Sequence, residues 1–437
     1  MNKMLKPMLC AGLLILSGLT TYANNPTTFS DTTRAYAVPT LVKTPTGNVA
    51  LSWTEKDKAG VVYFYWAESN DKGRTFGDKK LIYSSVGLGS SRLMRPKLLF
   101  KKDGSLVAVF TMPGSPTSPP QPAPAAPHTS HEVTPASHEH GDSHGGMKPK
   151  TDAPVKGGAR GGRPSDLQIV YSQSTDGGNT WSPPAPVHAD RTPNMVRGFF
   201  DATVLANGEV AVAYLSDIPG KQHERDLKFV TSTGNAFGDV KTLDPFTCDC
   251  CNISLLVDNK GILNLYYREN QDNTRDIAKM TSSDNGVTFS KAAILLADKW
   301  KINGCPHSGP TSASSQNGNL IAWMSGTTES PGIRVATQQG KRLFVLDDPT
   351  AKNAFLVSAP TSSVLLWEQN QETEAGVSSV IAYKNITADQ NPSTQFAKNT
   401  LNGTNATGVV IDNQLVVAYE VKNTNNKNSV GLAHVDL

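Results

Sequence analysis

The sequence contains little cysteine, and what there is lies close together. Five of the 437 residues are cysteine, and one of these, Cys10, lies in an apolar segment at the N-terminus. So low a count excludes a disulfide framework running through the chain. The stretch FTCDCCN nevertheless holds Cys248, Cys250 and Cys251, while Cys305 stands apart. A local reason for this crowding is needed: a disulfide knot, a metal site or a reactive centre.

The sequence also lacks an excess of either charge. Lysine and arginine number 41, aspartate and glutamate 38, and the formal net charge is +3. A chain this close to neutral gives no basis for nucleic acid or an anionic membrane surface as a partner.

Long apolar runs are missing after the first residues. Lys3 and Lys6 precede the apolar run 8–19, and the small residue Ala23 follows it. This order is typical of a secretory signal peptide, which we expect to span residues 1–23. No later segment is apolar for long enough to span a membrane. The expected location is therefore exported, either periplasmic or secreted, where disulfides can persist.

The pattern S-x-D-x-G-x-T-[FW] occurs three times. In such a box the aspartate can accept hydrogen bonds from backbone amides, the glycine supplies an unusual dihedral angle, and the aromatic residue anchors the turn. Three copies with identical internal spacing indicate a repeat. They are SNDKGRTF with Asp71, STDGGNTW with Asp176 and SSDNGVTF with Asp284.

A second repeat consists of two short apolar strands joined by a turn. Alternation and β-branched residues favour strands over helices. A period of about fifty residues with four short strands per unit predicts a β-propeller. We expect one all-β domain over 24–437 with seven blades, six being the alternative, and a ring closed by a strand before Tyr36. The seven strand pairs are 39–53, 96–110, 202–214, 253–267, 311–323, 354–367 and 406–419.

These boxes resemble the Asp boxes of the sialidase superfamily of propellers, over nearly the whole chain after the signal segment. The resemblance implies that the boxes lie between the third and fourth strands, on the face away from the active site. It does not by itself imply the activity. Sialidases hold a carboxylated sugar with three arginines, and the first belongs to a Y-R-I-P-like motif. The matching stretch here begins at Tyr36 and has Ala37 at the arginine position, so sialidase activity is not expected.

Two other arginines are candidate anion or substrate binders. Arg268 and Arg275 lie in the stretch YYRENQDNTRDI. The alternative is that they form ion pairs with Glu269 and Asp276. The sequence shows no convincing tyrosine and glutamate pair of the kind that sialidases use.

Propeller topology predicts that the cysteines meet. Cys248, Cys250 and Cys251 precede the first strand of blade four, and Cys305 and His307 precede that of blade five. Loops leading into first strands lie at the same rim of the central channel. We therefore expect the four thiols and the His307 imidazole to converge.

A Pro-, Gly- and Ala-rich insertion, 113–164, interrupts blade two between its second and third strands, on the same face. We expect it to be disordered. Its histidines and methionine indicate an auxiliary metal-gathering loop, the alternative being a solvated linker. They are His128, His131, His138, His140, His144 and Met147.

The chemistry of the thiols stays open at this stage. Adjacent Cα atoms lie about 3.8 Å apart, less than a disulfide usually needs, so a Cys250–Cys251 bond is disfavoured. One bond from the cluster to Cys305 is acceptable, but it leaves an awkward pair. Thiolates and an imidazole suit Cu(I) or Zn(II). Structural disulfides and a redox-active thiol remain the alternatives.

A narrower resemblance joins three segments: the CDCC stretch, the R-D-I stretch that begins at Arg275, and W-K-I-x-G-C-P-x-x-G-P over 300–310. Together they resemble a subgroup of exported sialidase-like propellers. The resemblance implies only that these segments belong together.

Three hypotheses follow. The first is an exported propeller that binds copper or zinc at the Cys/His rim and acts in metal trafficking, metal tolerance or cuproprotein maturation, with a metal-delivery or acceptor protein as partner. The second is a divergent glycoside hydrolase or glycan-binding module. The third is a protein-interaction scaffold pinned by disulfides.

Overall fold

The chain forms seven β-sheets that follow one another as the blades of a propeller. Within the described residues there is no α-helix, and no helix there has the length and apolar character needed to cross a membrane. The predicted all-β, seven-bladed fold is confirmed, and six blades are excluded. The computed structural model describes residues 29, 31–114, 166–221, 224–374, 376–387, 392–423 and 427–437.

The strands are numbered in chain order. Blades one and two contain β1 (Ala35–Lys43), β2 (Val49–Lys56), β3 (Val61–Ser69), β4 (Lys80–Val86), β5 (Lys97–Phe100), β6 (Leu106–Pro113), β7 (Leu167–Ser174) and β8 (Ala185–Pro186). Blades three and four contain β9 (Arg197–Val204), β10 (Val210–Asp217), β11 (Glu224–Thr233), β12 (Ala236–Phe237), β13 (Lys241–Cys248), β14 (Ser254–Val257), β15 (Leu263–Arg268), β16 (Ile277–Ser282) and β17 (Ala293–Leu296). Blades five to seven contain β18 (Thr311–Ser315), β19 (Gly318–Ser325), β20 (Gly332–Thr337), β21 (Arg342–Leu346), β22 (Lys352–Ser358), β23 (Ser363–Thr373), β24 (Gly376–Ile386), β25 (Gln395–Phe396), β26 (Gly403–Ile411), β27 (Gln414–Lys422) and β28 (Asn428–Asp436).

All seven predicted strand pairs are the first two strands of a blade. The pair 39–53 corresponds to β1 and β2, and the pair 406–419 to β26 and β27. Glycine is needed in some of these hairpin turns because φ is positive there: 86° at Gly47 and 85° at Gly104. Repeating turn chemistry therefore made the blade count readable from sequence.

Each junction between neighbouring blades has its own apolar core. The seven clusters of buried apolar residues each draw on two adjacent blades, so every blade is apolar on both faces. For example, Phe64 of blade one packs in one cluster with Phe110 of blade two. Burial on both faces explains the nearly continuous apolar runs of the inner strands.

The ring closes where blade seven meets blade one. Trp53 packs in one cluster with Val416. Two backbone amides of β1 are also held from blade seven: Val38 N donates to Glu420 Oε1 (2.8 Å) and Leu41 N to Thr407 Oγ1 (3.2 Å). The seventh sheet has three strands in the part of the chain that the structure describes. The segment before Tyr36 is the expected source of a closing strand. Its described residues, 29 and 31–34, form no strand of the seventh sheet, and the others lie outside the described part.

The insertion leaves and returns where the sequence indicated. It separates β6 from β7, the second and third strands of blade two, and its two ends lie side by side, since Gly114 N donates to Asp166 O (3.3 Å). Residues 115–165 are outside the described residues, as are 1–28. The expected disorder of the insertion and the signal peptide therefore stay predictions.

The Asp boxes lie between the third and fourth strands of their blades, as expected. In the first box Ser69 Oγ donates to Asp71 Oδ1 (2.8 Å) and accepts a hydrogen bond from Gly73 N (2.7 Å). Thr75 donates to the same carboxylate through its amide (2.8 Å) and its hydroxyl (2.6 Å). Every polar position of the motif thus has a partner within the turn.

The second box generates a pH-dependent prediction. The Thr180 amide and hydroxyl hold the pKa of Asp176 well below its usual 3.8. A lowered folded-state pKa adds stability that is present above the unfolded pKa and is lost as pH falls through the folded pKa. We expect Asp176→Ala to lower the unfolding temperature at pH 7, and this difference from the parent to shrink below about pH 4. Thermal unfolding between pH 7 and pH 3 measures it.

Asp239→Ala is the matched control, because Asp239 is an exposed aspartate outside the boxes. It should leave the pH profile unchanged. If the unfolding temperature of Asp176→Ala were below that of the parent by the same amount at every pH in this range, the stabilising role of the Asp176 negative charge would be contradicted.

Candidate functional site

Three thiols converge at the junction of blades three and four. Cys248 ends β13, and Cys250 and Cys251 follow in the turn that leads to β14. The Cys248 sulfur lies 3.4 Å from that of Cys251 and 4.0 Å from that of Cys250, and all three sulfurs are within 4.8 Å of one another. Each residue is at most 2% exposed. The cluster lies inside the apolar core of this junction, beside Phe199, rather than on the open rim.

The fourth thiol reaches the cluster from blade five. Cys305 lies in the loop before β18, and its sulfur is 3.3 Å from Asp249 Oδ1. Asp249, Cys250 and Cys305 form a second group whose ligand atoms are within 4.8 Å of one another. Cys305 is the more accessible thiol, being only partly buried. The structure thus brings the four cysteines together across the blade boundary.

Local contacts fix the CDCC turn. Glu224 of β11 pairs with Cys248 at the end of β13. Arg225, the next residue of β11, donates to the Asp249 carbonyl (2.5 Å) and accepts a hydrogen bond from the Thr247 hydroxyl at its own carbonyl (2.9 Å). Both flanks of Cys248 are therefore held by one arginine residue.

The loop that carries Cys305 docks on the CDCC turn through a glycine. A Cβ atom on Gly309 would lie 1.8 Å from the Asn252 carbonyl oxygen, so no other residue fits without a shift of backbone. Gly309 N also donates to Asn252 Oδ1 (3.0 Å). This close approach gives a physical reason for glycine in the G-C-P-x-x-G-P stretch.

The thiols differ in acidity. Hydrogen bonds with Cys250 and then Cys251 lower the pKa of Cys248, with a further contribution from the Arg275 guanidinium. The pKa of Cys250 is raised by its hydrogen bond with Cys248, and burial raises the pKa values of Cys251 and Cys305. The arrangement therefore favours one thiolate, at Cys248, supported by neighbouring thiols.

The two predicted anion-binding arginines have different roles. Arg268 donates to the carbonyl oxygens of Ser308 (2.8 and 3.0 Å) and Met324 (2.8 Å), which joins blade four to the Cys305 loop. It is not the partner of Glu269, whose pKa burial raises to about 8. Arg275 is 1% exposed, and its Nε and Nη1 have no hydrogen-bond partner in the described structure. Its charge acts on the Cys248 sulfur.

The sulfur spacing fits a metal ion. The four cysteines of the described residues are free thiols, and the Cys248 sulfur lies farther from the Cys250 and Cys251 sulfurs than the disulfide length of about 2.05 Å. A tetrahedral ion with sulfur ligands about 2.3 Å away would space the sulfurs by about 3.8 Å. The separations of 3.4 and 4.0 Å bracket that value.

The histidines are placed differently from the thiols. His307 is exposed, and its Nδ1 lies 3.0 Å from the carbonyl oxygen of Cys305. Its ring is in neither group of potential ligands among the described residues. The histidines and methionine of the insertion are outside the described residues: His128, His131, His138, His140, His144 and Met147.

The root of the insertion nevertheless connects to the thiol cluster. Leu167, which follows the insertion, forms a bridge with Val196. Val196 N donates a hydrogen bond to the Asp217 carboxylate (2.8 Å), which also accepts one from Arg225 Nε (2.6 Å). Arg225 in turn donates to the carbonyl oxygen of Asp249. The insertion therefore leaves the propeller on the cysteine face.

Sequence reasoning missed several groups beside the cluster. Asp249 offers a carboxylate to the Cys250 and Cys305 group, and its place inside CDCC was the available signal. Asp244 accepts a hydrogen bond from Tyr267 and also interacts with Glu269. These three come from segments with no shared motif, so the sequence carried no signal for their contact.

The central channel is a second concave site. It encloses about 310 Å³ between the first strands and is lined in part by Arg92, Arg95 and Lys97. Arg95 donates to the carbonyl oxygens of Pro39 (2.7 Å) and Asn405 (3.3 Å), and Lys97 pairs with Asp201 (2.6 Å). Most of this positive charge is therefore already engaged.

Arg34 does not take the place of the first arginine of the sialidase pattern. Arg34 pairs with the Glu55 carboxylate (3.2 Å) and its guanidinium lies over the Tyr63 ring, 4.2 Å from the centroid. It is not among the residues that line the channel. Ala37 therefore leaves the carboxylate clamp of a sialidase without its first member.

Solved structures of similar fold include sialidases and other proteins. A protein of unknown function from Dyadobacter fermentans is 14% identical in sequence, with a TM-score of 0.50. The alignment covers 93% of this chain and 95% of the Dyadobacter chain. The intramolecular trans-sialidase of Ruminococcus gnavus is 14% identical with a TM-score of 0.44 (93% and 96% covered). A polysaccharide lyase described as an ulvan lyase is 11% identical with a TM-score of 0.48 (92% and 93%). At these identities the likeness concerns the fold alone.

A comparison with curated proteins gives no match. The model of the BNR repeat-like domain, in contrast, matches residues 20–247, just over half of the chain. With its seven blades and its Asp boxes, the chain belongs to the BNR repeat-like domain family.

Proposed function

We propose that this protein is an exported, sialidase-like BNR propeller that binds a soft transition-metal ion, copper in preference to zinc. The candidate ligands are the clustered thiols of Cys248, Cys250 and Cys251, with the Cys305 thiol beside them. The observation that carries the proposal is the convergence of three buried sulfurs at metal-like spacing, with a fourth thiol and a carboxylate beside them. Its role is metal trafficking, metal tolerance or cuproprotein maturation, with a metal-delivery or acceptor protein as partner.

The surroundings of the thiols support a thiolate-rich centre. Thiolates in an apolar core are costly to bury unless they are hydrogen-bonded or paired with opposite charge. Arg275 supplies a buried positive charge, and two of its guanidinium nitrogens, Nε and Nη1, have no hydrogen-bond partner in the described structure. Arg268 adds a second positive charge that acts on Cys251. An anionic metal–thiolate group would be compensated by these two guanidinium groups.

Soft sulfur ligands select the metal. Thiolates favour Cu(I), Zn(II) or iron–sulfur clusters, whereas hard cations prefer oxygen. Three sulfurs within 4.8 Å of one another suit Cu(I), and we propose that the histidines and the methionine of the insertion gather the same ion. The signal segment would deliver the protein to a compartment in which exported copper proteins acquire their metal.

Loss of one inner thiol should abolish tight binding. Loss of a residue that only supports a metal ligand lowers metal affinity by roughly 10–100-fold. We expect Cys248→Ser, which removes a ligand itself, to lower the Cu(I) affinity by more than that. The reason is that Cys248 is the most acidic thiol and contacts both neighbours. Competition against a chromogenic Cu(I) chelator, with elemental analysis of the purified protein, measures the change.

Thr247→Ser is the matched control. It removes a buried methyl group next to Cys248 and keeps the hydroxyl group that donates to Arg225 O (2.9 Å). It should bind like the parent protein. Absence of metal binding in the parent, together with four oxidised cysteines in a thiol count, would reject the metal function and favour the disulfide-pinned scaffold.

The auxiliary loop can be tested by excision. Because Gly114 and Asp166 are hydrogen-bonded neighbours, residues 115–165 can be replaced by a short glycine linker without moving the blades. We expect the shortened protein to keep its tight Cu(I) site and to lose additional weak Cu(I) or Zn(II) binding. Isothermal titration of both proteins separates the two classes of site. Unchanged weak binding would show that the insertion is a solvated linker.

A second candidate, glycan binding in the channel, is favoured by the cavity of about 310 Å³ and its polar lining. Because Ala37 replaces an arginine and Arg95 is engaged, we expect no turnover of a fluorogenic sialoside. Hydrolysis of the sialoside is measured for this protein and for its Arg92→Ala variant, with an authentic sialidase as the positive control. Turnover that Arg92→Ala abolishes would establish the hydrolase instead.

A further inference from the structure

The four thiols form two overlapping groups rather than one set. Cys248, Cys250 and Cys251 make the inner group, and Asp249, Cys250 and Cys305 make the outer group. Within each group the ligand atoms lie within 4.8 Å of one another, and Cys250 is the member that both groups share.

A single four-sulfur ion does not match this arrangement. A tetrahedral centre needs all six sulfur–sulfur separations near about 3.8 Å. The groups of mutually close ligands do not join Cys305 to both Cys248 and Cys251. The Cys305 thiol instead contacts Cys250 and the Asp249 carboxylate.

We propose that Cys250 bridges two metal positions, a buried inner one and a more accessible outer one. The inner ion is held by Cys248, Cys250 and Cys251, and the outer ion by Asp249, Cys250 and Cys305. This inference rests on the proposed metal function and specifies its stoichiometry and its order of loading.

The two positions differ in ligand chemistry. The inner group offers sulfur only, which suits Cu(I), while the outer group mixes two sulfurs with a carboxylate oxygen, which binds soft ions less selectively. Each thiol that becomes a ligand releases its proton to solvent as the metal–sulfur bond forms. A shared thiolate allows an ion to pass between the positions while it stays bonded to sulfur.

Burial sets the direction of loading. The inner cysteines are at most 2% exposed and lie in an apolar core, whereas Cys305 is partly exposed and is two residues from exposed His307. An ion that arrives from solvent or a delivery protein therefore meets the outer ligands first. It then reaches the inner thiols by exchanging Cys305 and Asp249 for Cys248 and Cys251.

Cu(I) titration of the shortened protein, in which a glycine linker replaces residues 115–165, tests the proposal. The histidines of the insertion cannot then contribute to binding. The parent should bind two Cu(I) ions, and X-ray absorption should show copper–copper scattering. Cys305→Ser should bind one ion, with the affinity of that ion retained and its loading slowed. Cys251→Ser should lose the tighter ion, and Thr247→Ser should bind as the parent does.

Asp249→Asn tests the outer position without changing a cysteine, so its result does not depend on whether the cysteine variants fold. It keeps the backbone carbonyl that Arg225 holds and removes the negative charge of one outer ligand, so it should weaken binding of the outer ion. One Cu(I) per parent chain, or two ions in Cys305→Ser, would overturn the two-position proposal while the metal function stands. A parent that binds neither Cu(I) nor Zn(II) would instead reject the proposed function itself.

Discussion

In the described residues the strand ladders do not continue from one blade into the next, apart from an isolated bridge between Leu167 and Val196, and that constraint governs the rest of the structure. Each ladder stays within its own sheet, so neighbouring blades depend on apolar packing and on side chains that hold the next blade's leading segment. Glu420 of blade seven accepts a hydrogen bond from the amide of Val38 in blade one, and Glu368 of blade six accepts one from the amide of Asn405 in blade seven. Buried carboxylates at the ends of second strands are therefore structural, since each satisfies an amide that no ladder reaches.

The junction of blades three and four departs from this pattern, and the departure marks the site. Its apolar core includes three cysteines where other junctions have aliphatic and aromatic side chains. Cysteine packs as a small apolar residue, so the fold tolerates it there. Three sulfurs in mutual contact pack no better than branched aliphatic residues would. Their chemistry, rather than their packing, accounts for the choice.

The residues that contact the cysteine segments support both the fold and the candidate site. Arg268 fastens blade four to the loop that carries Cys305, and Arg225 holds the CDCC turn by the Asp249 carbonyl. Gly309 lets the two loops touch. Because strands, loop contacts and guanidinium hydrogen bonds to carbonyl oxygens hold these segments, the spacing of the thiols is set by the fold itself. Arg275 has N–H groups without hydrogen-bond partners in the described structure. Its positive charge would balance the negative charge of an ion bound by thiolates.

The sequence alone determined the seven strand pairs, the places of Asp71, Asp176 and Asp284, and the meeting of the CDCC turn with Cys305. Each follows from local turn chemistry repeated at a fixed period, which propeller topology converts into positions. Only the tertiary structure decided that Cys250 belongs to two groups, that Asp249 joins one of them, that Arg268 donates to carbonyls rather than pairing with Glu269, and that the His307 ring lies outside both groups. Those outcomes depend on side-chain directions and on contacts between segments distant in sequence, and no periodic pattern encodes either.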